Sequence, residues 1–325
     1  MSELITPGNL SHLHLLINHF PTIGLTVAFA LLVISIISDS EAMKHDTMRP
    51  TAFGMLFAIA VMTLPVFTTG LAAEGALEKV AGVSKQAIDA HENSALLAFV
   101  VLELAGAAAW FGLWRWRRTH RIPPGLTILT FLLSAVSLGL MTIAASIGGG
   151  IRHPEILADP NTAGAQSMFS ISASAVAFFV NGRGHQWVWP TLESAHFVGM
   201  TLWFGVLLLA NLRLMGWFTR IPYPALHRLL PWALLGFGVN EVSGMMFYIA
   251  TPKGYTTNVM FYWKLLFLLI AAADLLYLTV WPQAWRTQAG TPSHTRERVI
   301  GAAALASFVA VMYCGRMLPF LGNSF

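Results

Sequence analysis

Eight runs of roughly twenty mainly apolar residues recur along this chain, at 20–38, 51–71, 93–114, 125–147, 191–214, 228–250, 258–282 and 299–318. A bilayer core about 30 Å thick is crossed by a helix of about that length. Lipid offers no partner to backbone N–H and C=O groups, so each run must satisfy its own as a helix. Leu, Ala, Phe and Met dominate and strand alternation is absent, which argues against a membrane β-barrel. Only 10% of the 325 residues are charged, against about 25% in soluble proteins, so a water-soluble globular enzyme is excluded. The expected fold is all-α: a polytopic membrane protein with eight transmembrane helices in two four-helix bundles.

Loop charges orient the spans. Lys44 and Arg49 fall in the first loop, Arg115, Arg117, Arg118 and Arg121 in the third, Arg213, Arg220 and Arg228 in the fifth, and Arg286, Arg296 and Arg298 in the seventh; these are 12 of the 19 basic residues. The positive-inside rule makes that face cytoplasmic. Both termini then face outward, as in a multi-pass protein of the bacterial inner (cytoplasmic) membrane. No Lys or Arg precedes the first run, so the basic region of a signal peptide is missing and the first helix reads as retained.

Three regions follow: a membrane domain at 1–147, an outward-facing connection at 148–190, and a second membrane domain at 191–325. Within the connection, Met168 to Val180 is apolar but too short to span, which suits a segment at the membrane surface. Trp187 and Trp189 read as interfacial anchors. The halves share no convincing sequence repeat.

Other chemistries drop out quickly. A single cysteine, Cys314, excludes a disulfide framework, a Cys-rich iron–sulfur site and covalent haem attachment. The net charge of +4 is too diffuse for a nucleic-acid partner. No nucleophilic triad, phosphate loop or dinucleotide fingerprint is present, and Gly182-Arg183-Gly184 is an isolated turn signal.

The histidines carry the functional signal. His45, His120, His227 and His294 sit on the cytoplasmic side near arginines, where solvated or headgroup-facing rings are the ordinary case. His12, His14, His19, His91, His153, His185 and His196 lie on the outward side. An interface histidine on its own commonly caps a helix or bonds a carbonyl. His19 opens the first span, His91 precedes the third and His196 lies inside the fifth, all at similar depth. Neutral imidazole is a common metal ligand, and facing helices of a bundle supply cofactor ligands. A haem b held between two helices needs one imidazole from each, so His19 and His91 form the first expected pair. His196 would pair with His14, His153 or His185. Glu193, three residues before His196, shares its helix face and is expected to orient it. Pro21 bends or starts the first helix just after His19.

Charges inside spans are functional hypotheses by default. Glu103 lies mid-span. Glu241 and Lys264 reach similar depth, as an ion pair or as a polar lining for a quinone head. Asp274 lies deeper without an obvious partner. Arg316 is placed to pair with a haem propionate or to snorkel to headgroups.

The stretch His14-Leu15-Leu16-Ile17-Asn18-His19-Phe20-Pro21, followed by Asp89-Ala90-His91-Glu92, resembles a bacterial four-helix membrane family of unknown function with a His-Phe-Pro motif, often suspected of being cytochrome-like. The resemblance covers roughly residues 10–147. Leu15 replaces the proline that often follows the first histidine in that family. From Glu193-Ser194-Ala195-His196 through Asn211-Leu212-Arg213-Leu214-Met215-Gly216 the chain is distantly similar to copper-resistance D-type and b-type cytochrome membrane domains. The resemblance implies a redox role: one or two haem b groups, with electrons passing between membrane quinone and a periplasmic cytochrome c or dehydrogenase subunit. Such a chain would be the membrane electron-transfer subunit of an oxidoreductase complex. Two other readings stay open: a copper-binding or copper-transporting protein using His14, His19, His91 and His196, and a cofactor-free anchor of a larger complex.

Overall fold

The computed structural model describes residues 10–38, 47–77, 83–152, 167–281, 283 and 286–321. Among the described residues there is no strand, and eight helices are long and apolar enough to cross a membrane. The protein is an all-α, polytopic membrane protein. It folds as two compact units, Met1–Ala173 and Ser174–Phe325. The expected connection is therefore shared between the units. Its first residues continue a span, and part of its apolar run forms a short helix in the second unit.

The first unit contains α1 (Leu10–Ile17), α2 (His19–Ile37), α3 (Met48–Leu77), α4 (Lys85–Thr119) and α5 (Pro124–Arg152). Helices α1 and α2 together make one span, broken only at Asn18. Pro21 explains the break: it has no N–H to offer the Ile17 carbonyl one turn back, so the ladder loses a rung there. Pro21 thus sits in the first turn of α2, where proline is tolerated. Helix α3 packs between α2 and α4, and α5 packs on α4 and α2, which closes a four-helix ring. Gly106 of α4 faces Ala60 of α3 so closely that a methyl group at 106 would fall on the Ala60 Cβ. Helix α4 ends at His120, whose φ of 54° turns the chain sharply ahead of Pro123 and Pro124.

The second unit contains α6 (Ala173–Asn181), α7 (Val188–Leu214), α8 (Tyr223–His227), α9 (Leu230–Ala250), α10 (Pro252–Thr256), α11 (Val259–Val280) and α12 (Thr295–Leu321). Helix α7 packs against α9 and α12, and α12 against α11. Trp203 of α7 is central, edge-on to Phe237 of α9 and Phe308 of α12 at 5.3 and 4.9 Å between ring centres. At the arginine-rich end of this unit, Arg213 is fully buried rather than a loop charge. Its guanidinium donates to the Ile221, Gln288 and Thr291 carbonyls at 2.8, 3.2 and 3.1 Å, stapling two loops to the end of α7.

Two buried groups depart from expectation. His227 is not solvated: it is fully buried, with Nε2 3.1 Å from the Thr279 carbonyl. Asp274 has a partner, the Asn211 side-chain amide at 2.7 Å. His120 and His294 are exposed as expected, and His45 lies outside the described residues.

Candidate functional site

A cavity of about 790 Å³ lies in the first unit, at the end of the bundle away from the Arg115–Arg121 turn. That is within the roughly 300–1,000 Å³ usual for cofactor and ligand sites. Its walls are mostly apolar, with Phe67 and Phe99 stacked at 5.0 Å and Leu102 fully buried. His14, His19 and His91 all line it.

His14 and His91 are each held through Nδ1 by a backbone carbonyl, and His14 Nδ1 also lies 3.4 Å from Thr69 Oγ1. His14 Nδ1 is 3.0 Å from the Val66 carbonyl of α3, and His91 Nδ1 is 2.9 Å from the Ala144 carbonyl of α5. A carbonyl only accepts, so each Nδ1 must carry the proton and each Nε2 keeps a free lone pair. No described residue hydrogen-bonds either Nε2. Each ring also lies on a glycine one helical turn beyond its acceptor. A Cβ on Gly70 would come 3.0 Å from His14 Cε1, and one on Gly148 would come 2.8 Å from His91 Cε1. Helical side chains lean toward the N-terminus and cover the preceding turn. Glycine four residues on therefore leaves the acceptor carbonyl open from the side.

The two clamps repeat almost to the residue. His14 and Val66 are 52 residues apart, and His91 and Ala144 are 53 apart. The first unit is thus two helix pairs of like design, each contributing one imidazole. This internal repeat escapes a comparison of the two halves of the chain, because it lies within the first of them. The helix bounds also change: α4 begins at Lys85, so His91 lies two turns inside a helix rather than ahead of one.

The other sequence candidates are placed differently. His19 lines the cavity with an exposed side chain, so matched backbone anchoring distinguishes His14–His91 rather than the expected His19–His91. His153 lies outside the described residues. In the second unit, His196 Nδ1 is 2.8 Å from Ser243 Oγ, whose own proton goes to the Val239 carbonyl at 2.6 Å. Ser243 of α9, not the exposed Glu193, therefore orients His196. His185 donates to the Phe178 carbonyl at 3.3 Å and packs on Phe178 and Phe179, with no hydrogen bond or ring contact to His196. Arg316 lies over Phe320. Among the described residues Glu241 and Lys264 form no ion pair; the Lys264 ammonium instead sits beside Gly315.

The rim of the cavity is acidic, which sequence reasoning also missed. Glu74, Asp89 and Glu92 bring a carboxylate oxygen each within 4.8 Å of one another. Lys85 spans two of them, at 3.3 Å from both Glu74 and Asp89. The signal was the Lys85–Asp89 spacing of four on one helix face. Compared with family models, with curated proteins and with solved structures, the chain matches none of them.

Proposed function

We propose that the first unit is a b-type haem-binding membrane domain. The protein then acts as an integral membrane electron-transfer subunit between quinone in the bilayer and a redox partner at the cavity end. One observation carries this reading: two imidazoles from different helices, each with Nδ1 tied to a carbonyl and Nε2 free, line one largely apolar cavity. His14 and His91 would hold the iron. When bound, haem supplies a reversible one-electron couple tuned by its axial ligands and surroundings.

The chain's own residues do the rest. The Val66 and Ala144 carbonyls fix ring tautomer and orientation and raise the basicity of Nε2, as partners of metal-bound imidazoles do. Gly70 and Gly148 let the rings settle against the helices. Phe67, Phe99 and Leu102 exclude water and keep the local dielectric low. The charge asymmetry of the loops favours the outward face for this end, and the proposed partner would dock there.

The test is an absorption spectrum of protein purified from haem-replete cells. A b-type reduced-minus-oxidised spectrum and a pyridine haemochrome support the reading, and haem-free protein refutes it. A copper site is the second reading, because Met141 joins the two imidazoles in the cavity lining and thioether with imidazole suits that metal. Elemental analysis separates the two.

A further inference from the structure

In the second unit, Asn211 of α7 is fully buried and Asp274 of α11 is 6% exposed. Asn211 Nδ2 gives one proton to the Leu207 carbonyl at 3.0 Å and the other to Asp274 Oδ2 at 2.7 Å. Those two acceptors fix the amide's direction, since reversing it would aim its oxygen at both. Two oxygens are left over, Asn211 Oδ1 and Asp274 Oδ1, both buried and neither with a partner among the described residues.

The leftover pair identifies what is missing. An ionised Asp274 offers only acceptors, so both oxygens stay unsatisfied inside a membrane span, where an unpartnered charge is costly. A neutral acid resolves both at once. Its O–H on Oδ1 would donate to Asn211 Oδ1 while Oδ2 accepts from Asn211 Nδ2, which would close an acid–amide ring. Among the described residues no lysine, arginine or histidine forms an ion pair with Asp274. Its electrostatic influence falls on two phenols, Tyr223 of α8 and Tyr277 of its own helix. Tyr223 is itself occupied, its hydroxyl donating to the Leu278 carbonyl at 3.2 Å.

We propose that Asp274 is a proton-binding site in the interior of the second unit, held as a neutral acid by Asn211. The site is independent of any cofactor in the first unit. Its ligand is a proton, and Asn211 is the positioning residue that keeps it there.

Asparagine is the informative replacement, because its NH₂ can donate where the acid O–H did. In the full-length protein, Asp274→Asn is expected to melt at the parent temperature, whereas Asp274→Leu and Asn211→Leu melt lower. Infrared spectra of the parent should show the C=O stretch of a hydrogen-bonded protonated carboxyl. That band should vanish in Asp274→Asn and move to higher frequency in Asn211→Leu. The proposal is overturned if Asp274→Asn melts as low as Asp274→Leu, or if no protonated-carboxyl band depends on residue 274. It is also overturned if melting of the parent rises with sodium and that response disappears in Asp274→Asn, because a cation would then fill the gap.

Discussion

Replacing Gly148 with alanine tests the site without touching a proposed ligand. The new methyl carbon would lie 2.8 Å from His91 Cε1, 3.0 Å from Nδ1 and 3.5 Å from Nε2. Carbon contacts settle near 3.5–4.0 Å, so the ring has to retreat by about 0.7–1.2 Å. The Nδ1 to Ala144 bond is 2.9 Å, and that retreat stretches it to about 3.6 Å, where it is no longer a hydrogen bond. The bond itself is worth about 0.5–1.5 kcal/mol, and alanine recovers about 0.5–1 kcal/mol through helix propensity. Stability of the ligand-free protein should therefore change little. Haem affinity should fall by about 10–100-fold, the usual cost of losing the partner that orients a metal-bound imidazole. Gly139, in the same helix, is the control because a Cβ there meets nothing within 4 Å. Haem is titrated into each apo-protein and followed by absorbance. Gly148→Ala binding as tightly as Gly139→Ala would show that the ring is not held as described.

Three further outcomes follow from the geometry. His14→Ala and His91→Ala should each abolish the b-type spectrum, whereas His19→Ala keeps it, as read from purified variants. Arg213→Ala removes three charge-assisted bonds to buried carbonyls, and should cost at least about 3 kcal/mol in thermal or denaturant unfolding. Gly106→Val should separate α3 from α4 at Ala60 and lower the melting temperature, while Gly75→Val, in open space on α3, should not.

The spans were legible because length and apolarity alone specify them, and the described residues hold the eight expected. The ends of the helices were not. Lys85, Asp89 and Glu92 pushed the apparent start of the third span to residue 93, yet they lie in the first turns of α4. Depth matching chose His19 over His14 because it counted only apolar residues. The turn ahead of Pro21 is helical too, and it carries His14 to the cavity wall. Glu193 shared a face with His196 as its spacing said, but the real partner came from α9, which no local pattern announces. Asn211 stood inside a motif without a role of its own, since its counterpart lies 63 residues away and only packing joins them.

The two clamps also set an order of events during synthesis. Each joins a histidine to a carbonyl more than fifty residues later in the chain. His14 finds its anchor once α3 has been made, but His91 waits for Ala144 and Gly148, near the very end of α5. A nascent chain arrested before that last turn can have three spans inserted and still offer only half a grip. Loading of the proposed haem would then be a late checkpoint, reached only when the fourth span of this unit has left the ribosome and docked.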